Sequence, residues 1–233
     1  MEGTLAILRA ALKHKVKRVV ITSSGLTVYL KKDRKAVLNE DDWSDPEILM
    51  PYEKSKYLAE KAAWEFVEAL PEDQRFELVV CIPGLVQGPS LHYSDFYSAT
   101  IMKNNLLGLM PALPQVRFGI VDVRDVAEGH LQAIKVEAAK NQRFLLTLKT
   151  FSFKDLAVIL HSHYGDAFPT KIVEMTECPP GNSRFKLLWG REFEVDNSRS
   201  VDILGIKYHD IDDTLTSMVQ GMIDQGYITP ATA

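Results

Sequence analysis

A tyrosine and a lysine one helical turn apart are the residues of this sequence best suited to acid–base chemistry. Tyr52 and Lys56 lie in the segment 51–56, which reads PYEKSK, and residues four apart on a helix share one face. A free phenol has a pKa near ~10, and a neighbouring cation favours the phenolate, so such a pair could transfer a proton near neutral pH. Ser24, the second of two consecutive serines upstream, could orient a substrate oxygen.

The alternative interpretation is a partly exposed structural pair, because Tyr-x-x-x-Lys is a short motif that also occurs by chance on amphipathic helices. The sequence around Ser24 favours a site. Residues 19–24 read VVITSS, an apolar run that ends in hydroxyl groups, which is typical of a buried strand ending at the carboxyl edge of a sheet. Ligands of open α/β sheets bind at that edge.

Helical and strand patterns alternate along most of the chain. The spacing of apolar residues and the positions of prolines predict helices over 2–14, 51–70, 95–107, 125–138, 152–163 and 211–225, and strands over 18–23, 76–82, 117–121 and 143–148. Such alternation predicts an α/β fold with a parallel sheet and right-handed crossovers. From about residue 165 the pattern is irregular, with prolines at Pro169 and in the run 179–181, which favours a smaller C-terminal lobe.

The composition indicates an ordinary globular protein. The chain has 233 residues, 46% hydrophobic and 25% charged, and a formal net charge of -4, so composition gives no case for a nucleic-acid partner. The densest positive stretch, Lys31 to Lys35, is broken by an acid and is interpreted as a solvated loop. No apolar run reaches the ~18 residues of a membrane span. We therefore expect neither a membrane nor a nucleic-acid partner.

Cysteine and histidine positions argue against disulfide and metal chemistry. Cys81 lies within the apolar run 78–82, where it is expected to be a small buried hydrophobe, and with only Cys178 besides a reducing, cytoplasmic location is predicted. His161 and His163 are two positions apart on a predicted helix and point in different directions. No metal site is predicted.

Five segments of the sequence match a known family in order along the chain. They are VVITSS at 19–24, the acidic loop NEDDWSD at 39–45, YEKSKYLAEKAAW at 52–64, IPGLVQGP at 82–89 and VDVRDVA at 121–127. The sequence resembles the extended short-chain dehydrogenases/reductases of the NAD-dependent epimerase/dehydratase superfamily, in particular the dihydroflavonol reductase and cinnamoyl-CoA reductase-like group.

The resemblance implies a fold and two regions. It implies a partial Rossmann-like parallel sheet flanked by helices, with an incomplete NAD(P)-binding domain over 1–164 and a small C-terminal substrate lobe over 165–233. Loops near 87–116 and 176–190 are expected to help form the substrate pocket.

The resemblance also implies roles for individual residues. Tyr52 would donate a proton to a substrate carbonyl, Lys56 would bind the nicotinamide ribose and lower the tyrosine pKa, and Ser24 would hydrogen-bond the reacting oxygen. Pro83, Leu85 and Val86 match the turn that packs on the nicotinamide; the alternative for this turn is a Pro-Gly that merely ends a strand.

Two other parts of the matched segments are interpreted as structural. Asp122 and Asp125 resemble a carboxylate pair, but the family match places them at a helix that supports the site, and Asp125 is predicted to be its N-cap. Trp43 is explained by packing, although the resembled family has substrate beside its loop.

The family's opening strand and Gly-x-x-Gly-x-x-Gly turn have no counterpart in this sequence. That turn holds the cofactor pyrophosphate through backbone N–H groups and a helix N-terminus. We therefore expect a truncated product or incomplete gene model that binds NADP, or NAD, weakly or not at all. The strand at 18–23 is then expected to leave an apolar sheet edge open to self-association or to pairing with another chain.

Three functions remain open at this level. The first is an NAD(P)H-dependent carbonyl reductase, or alcohol dehydrogenase, that acts on a small ketone or aldehyde with Tyr52 as the proton donor. The second is a non-catalytic fragment that associates with a full-length paralogue. The third is an epimerase or dehydratase acting on sugar nucleotides, because the wider family uses the same tyrosine and lysine.

Overall fold

The computed structural model describes residues 1–33, 35–179 and 183–231. The strands are β1 (Arg18–Thr22), β2 (Val37–Leu38), β3 (Glu77–Pro83), β4 (Leu85–Gln87), β5 (Arg117–Asp122), β6 (Arg143–Leu146), β7 (Lys149–Ser152) and β8 (Glu194–Val195). The helices are α1 (Glu2–Lys13), α2 (Pro51–Glu68), α3 (Tyr97–Leu106), α4 (Val123–Lys135), α5 (Phe153–Tyr164), α6 (Ser183–Leu188), α7 (Ser198–Leu204) and α8 (Ile211–Asp224).

The chain packs into two compact units, each built from several segments. Unit 1 comprises residues 1–84, 126–147 and 194–207, and unit 2 comprises residues 85–125, 148–193 and 208–233. These units are defined by packing alone, so the predicted functional division into a cofactor domain over 1–164 and a substrate lobe over 165–233 stays a prediction.

Unit 1 is organised around a parallel sheet with strand order β1-β3-β6. β3 is the central strand, and its apolar residues 78–83 are all buried, as expected for a strand covered on both faces. Cys81 within it has no exposed surface, and burial raises the pKa of its thiol to about 12. It is therefore an inert core residue. β2 and β8 form a separate short parallel pair in the same unit.

Helices α1, α2 and α7 and most of α4 complete unit 1. Leu8 of α1 and Ala63 of α2 are buried, and α1 packs against α2. Arg18 of β1 fixes the end of α4, because its guanidinium donates to the carbonyls of Ala133 and Val136 at 3.0 and 2.7 Å while its Nε lies 2.6 Å from the Glu77 carboxylate. The last carbonyls of a helix need such donors.

Unit 2 contains a mixed sheet with strand order β4-β5-β7. β4 and β5 are parallel, whereas β7 runs antiparallel to β5. Buried side chains of α3, α5 and α8, including Met102, Leu156 and Met218, form its core together with Ile120 of β5. A capping box at Ser152 and Asp155 starts α5.

The α/β class and the parallel, helix-flanked sheet are confirmed. One predicted strand needs correction: the strand expected over 143–148 is in fact two strands in different sheets, β6 beside β3 and β7 beside β5. Part of the predicted irregular region, residues 180–182, lies outside the described residues, as does Arg34 of the basic stretch. In the part of the chain that is described, no helix is long and apolar enough to cross a lipid bilayer.

Candidate active site

Tyr52 lies in the first turn of α2, which begins at Pro51, a position where proline is well tolerated. Its side chain is 53% exposed, and its backbone carbonyl accepts a hydrogen bond from the Ser55 hydroxyl at 2.7 Å. In the part of the chain that the structure describes, no hydrogen bond joins the Tyr52 phenol to another group. The hydroxyl is therefore open to a ligand.

Lys56 connects α2 to the end of β1. Its Nζ donates to the carbonyl oxygen of Thr22 at 2.9 Å, which holds the ammonium next to the serine pair that follows β1. Burial lowers the pKa of Lys56, and the Glu60 carboxylate one turn further along the helix opposes that shift. An ammonium with one donor used has two left for a ligand.

The two serines after β1 have different environments. Ser23 is buried, and its hydroxyl donates to the Glu60 carboxylate. Ser24 is partly exposed, and its Oγ accepts the backbone N–H of Leu26 at 3.3 Å, starting a short turn at Gly25. Accepting that bond leaves the Ser24 hydroxyl hydrogen available for a substrate oxygen.

The turn that presents Ser24 depends on close contact between Gly25 and the Tyr29 ring, which only glycine permits. A Cβ on Gly25 would lie 2.5 Å from the Tyr29 ring, and the Tyr29 hydroxyl lies 2.9 Å from Oγ1 of Thr147. The turn that presents Ser24 is therefore supported by the segment that follows β6.

Glu60 is a site residue that sequence reasoning missed. Its side chain is 1% exposed, and it accepts hydrogen bonds from Ser23, from Thr27 at 3.3 Å and from Nε of Arg143 at 2.7 Å. The signal was present in the sequence, since Glu60 lies four residues after Lys56 on the same face of α2.

Arg143 joins the acidic loop to this network. Its guanidinium donates to the carbonyls of Glu40 and Asp42 and stacks on Trp43, with Cζ 3.7 Å from the ring centroid. Lys61 also lies over that ring, at 3.6 Å. Trp43 thus packs among cations, and the loop that contains it is anchored to α2.

The predicted cofactor turn is divided between the units. Pro83 is buried at the end of β3, paired in register with Leu146, within unit 1. Leu85 and Val86 are partly exposed in β4 of unit 2, where they pair with Ile120 and Val121 of β5. Of the three, the latter two have surface available to a ligand.

The Asp125 prediction is wrong. Asp125 is the third residue of α4, and its carboxylate accepts from the backbone N–H of His209 and lies 2.6 Å from His209 Nδ1. Asp122 takes the capping role, since its Oδ1 accepts the Arg124 N–H at 2.7 Å. The Asp125 carboxylate instead holds the segment before α8, through its contacts with His209.

No group of three metal-ligating side chains converges among the residues described, and the predicted lack of a metal stays a prediction. His163 lies 2.8 Å from the Asp212 carboxylate.

Comparison with known proteins agrees with this geometry. The model of the NAD dependent epimerase/dehydratase family matches residues 1–146. The chain belongs to this family. Among its curated relatives is the NADPH-dependent methylglyoxal reductase GRE2 of Saccharomyces cerevisiae, 30% identical over 92% of this chain and 66% of the relative. Cinnamoyl-CoA reductase 2 of Arabidopsis thaliana is 29% identical over 98% of this chain and 66% of the relative.

A solved structure of a reductase is also similar to this chain. Yeast methylglyoxal/isovaleraldehyde reductase Gre2 complexed with NADPH superposes with a TM-score of 0.75 at 28% identity, over 97% of this chain and 70% of that one. The chain therefore spans about two thirds of the length of these relatives, 66% for both curated ones. The predicted reductase-like group within the family is confirmed.

Proposed function

We propose that this chain provides the proton-transfer residues of an NADPH-dependent carbonyl reductase that acts on a small ketone or aldehyde. One observation carries the proposal. α2 exposes the Tyr52 side chain while Lys56, on the same helix, is hydrogen-bonded to the carbonyl of Thr22, two residues before Ser24. The relatives named as NADPH-dependent methylglyoxal reductase and cinnamoyl-CoA reductase support this reaction class.

The roles follow from the surroundings of each group. Tyr52 donates its phenolic proton to the carbonyl oxygen, because its hydroxyl is exposed and has no competing partner among the bonds described. Ser24, whose hydroxyl hydrogen is free, donates a hydrogen bond to the same oxygen. The Lys56 ammonium lies on the same helical face as Tyr52, so it places a positive charge one helical turn from the proton donor.

NADPH, when bound, supplies the hydride that reduces the carbonyl carbon. Within unit 1, Lys56 fits the nicotinamide end, because its ammonium has two further N–H donors for ribose hydroxyls. The sequence has no Gly-x-x-Gly-x-x-Gly turn to bind the pyrophosphate. We therefore propose weak cofactor binding by this chain, and isothermal titration that finds micromolar affinity for NADPH would refute it.

Turnover of methylglyoxal at saturating NADPH, followed by loss of NADPH absorbance, tests the reaction. Tyr52→Phe is expected to lower the rate about 10²- to 10⁴-fold, because it removes the general acid. Tyr97→Phe is the matched control, since Tyr97 is 59% exposed and lies on α3, and it should leave the rate unchanged. Equal rates for Tyr52→Phe and wild type would remove Tyr52 from the mechanism.

A further inference from the structure

Thr22, the last residue of β1, makes contacts in two directions. Its carbonyl oxygen accepts a hydrogen bond from Nζ of Lys56 at 2.9 Å, and its side-chain Oγ1 lies 2.7 Å from Nε2 of His130. His130 belongs to the part of α4 that lies within unit 1, as do Thr22 and Lys56. One residue therefore joins a helical histidine to the lysine that we propose binds the nicotinamide ribose.

The second ring nitrogen of His130 determines the direction of its hydrogen bond with Thr22. Nδ1 lies 2.7 Å from the backbone carbonyl oxygen of Val126, one turn earlier in α4. A carbonyl can only accept, so the proton of the neutral ring is on Nδ1, and Nε2 is left as an acceptor. The Thr22 hydroxyl must then donate to Nε2. The His130 ring therefore holds the Thr22 hydroxyl in one place.

Other contacts already fix α4 to the sheet of unit 1. At the opposite end of β1, the Arg18 guanidinium donates to carbonyls in the last turn of α4 and just after it. Gly129 brings the helix close to β6, because a Cβ at this position would lie 2.6 Å from the Leu146 side chain. The helix therefore does not depend on the Thr22 bond for its attachment, and His130 holds Thr22 from a fixed support.

The Lys56 ammonium depends on well-placed acceptors. Burial lowers the pKa of Lys56, so groups that bond to its charged form favour the ammonium. The Thr22 carbonyl is such an acceptor. The hydroxyl and the carbonyl of Thr22 are both attached through its Cα, so anchoring the hydroxyl limits how far the carbonyl can turn. The bond from Thr22 to His130 thus helps to keep the carbonyl directed at Lys56.

We propose that His130 is a positioning residue, which fixes Thr22 and through it the Lys56 ammonium. The inference rests on the proposed function for the role of Lys56 at the nicotinamide ribose, whereas the contacts can be tested without it. A bond that merely satisfies two polar groups is the other explanation. Positioning requires that Lys56 responds when His130 or Thr22 is changed, and the other explanation requires no response.

Nuclear magnetic resonance on the ligand-free protein tests the contacts. At pH ~8, where histidine rings are generally neutral, the ring-nitrogen signals of His130, assigned by their loss in His130→Gln, should show protonation at Nδ1. Protonation at Nε2 would overturn the proposal. The Nζ chemical shift of Lys56, assigned by its loss in Lys56→Met, should change in His130→Phe and in Thr22→Val, because each variant removes the bond between the ring and the hydroxyl.

Conservative variants and a control separate positioning from general disturbance. Thr22→Ser keeps the hydroxyl and should leave the Lys56 signal close to its wild-type position. His161→Phe, at an exposed histidine of α5 in unit 2, should not move it. Should His130→Phe fail to fold by circular dichroism, Thr22→Val decides. A Lys56 signal that is unchanged in Thr22→Val, or that moves as far in Thr22→Ser, would overturn the proposal.

Turnover of methylglyoxal connects this positioning to the reaction. His130→Phe and Thr22→Val should each raise the KM for NADPH about tenfold and change kcat less, because a displaced ammonium holds the ribose poorly. The double variant should go no further than either single variant, since both break the same bond. Effects that multiply in the double variant would overturn the proposal. If Lys56→Met also left this KM unchanged, the proposed role of Lys56 would fail, and the Lys56 signal would still decide whether His130 positions it.

Discussion

At the scale of single residues, Glu60 connects the groups that we propose act on a carbonyl. Its carboxylate binds the Ser23 hydroxyl and so holds the turn that presents Ser24. It also lies one turn from Lys56 and favours the charged ammonium against the effect of burial on its pKa. A single buried carboxylate therefore supports both the turn that presents Ser24 and the ammonium of Lys56.

Glu60→Gln is expected to lower the free energy of unfolding by about 3 kcal/mol, because it leaves the Arg143 guanidinium buried without its ionic partner. Urea denaturation followed by circular dichroism measures this loss of stability as a lower urea concentration at the midpoint of unfolding. Glu65→Gln on the exposed side of the same helix is the matched control and should change stability by less than about 0.5 kcal/mol. Similar losses for the two variants would mean that the buried pair contributes nothing specific.

The spacing of residues along the sequence identified candidate site residues that lie on one helix or in one turn. It did not identify Arg143, which binds Glu60 from a distant part of the sequence. Tyr52 and Lys56 could be singled out because four positions on a helix put them on one face. Glu60 is on that face too, but its role depends on Arg143, which is 83 positions away in the sequence. The Glu60–Arg143 pair depends on the position of β6 in the sheet. The spacing of residues along the sequence does not reveal the order of strands in a sheet.

At the scale of elements, long periodic segments were predictable and short strands were not. The helices at 51–68 and 211–224 and the buried strand at 77–83 carry strong apolar patterns. β4 has three residues and β7 four, too few for a period to show. Their existence depends on pairing with β5, so the division of the predicted strand 143–148 could not be anticipated from the sequence.

The junction of β5 and α4 is stabilised by one ion cluster within unit 2. Arg124 contacts the fully buried Asp122 carboxylate at 2.7 Å and Asp213 of α8 at 2.8 Å. Burial by itself would raise the pKa of Asp122, but hydrogen bonds from the side chain and backbone of Arg124 outweigh it, so the pKa of Asp122 is lowered. Stability from such a group is present above its unfolded pKa and is lost as the pH falls through its folded pKa.

Arg124→Gln should therefore lower the free energy of unfolding by about 2 kcal/mol at pH near ~7, because the buried Asp122 carboxylate loses its cation. The difference from wild type should shrink below pH ~4, as Asp122 becomes protonated in the variant first. Denaturation midpoints of the variant and the wild type, measured at pH near ~7 and below pH ~4, give this difference in stability at each pH. Asp213→Asn removes the more exposed partner of Arg124, and it should lower the free energy of unfolding by less than about 1 kcal/mol. A pH-independent loss in Arg124→Gln would refute the electrostatic explanation.

At the scale of the whole molecule, the residues proposed for proton transfer all belong to unit 1. Ser24, Tyr52, Lys56 and Glu60 lie in its first segment, residues 1–84, and the strand β6 with Arg143 comes from its second segment. The apolar residues Leu85 and Val86 begin unit 2. We propose that unit 1 offers a dinucleotide the Lys56 ammonium for its nicotinamide ribose, and the sequence has no glycine-rich turn for the pyrophosphate.

This limits which parts of a cofactor the chain should recognise. A site that binds both halves of a dinucleotide loses much affinity when the adenosine half is removed, because those contacts are lost. We expect this chain to bind reduced nicotinamide mononucleotide and NADPH with affinities within about threefold of each other. Isothermal titration with each compound measures the ratio. NADPH affinity at least about tenfold higher would show that other residues bind the adenosine half.

Variants at two lysines of α2 assign this binding to the proposed residues. Lys56→Met should weaken the binding of both compounds equally, because it removes the ammonium that we propose binds the ribose and leaves the rest of α2 unchanged. Lys54→Met is the matched control, since Lys54 is exposed and lies two positions away on a different face of α2. If Lys54→Met weakened binding as much as Lys56→Met, general loss of positive charge would explain the effect, and the position of Lys56 beside Thr22 would have no part in holding the nicotinamide end.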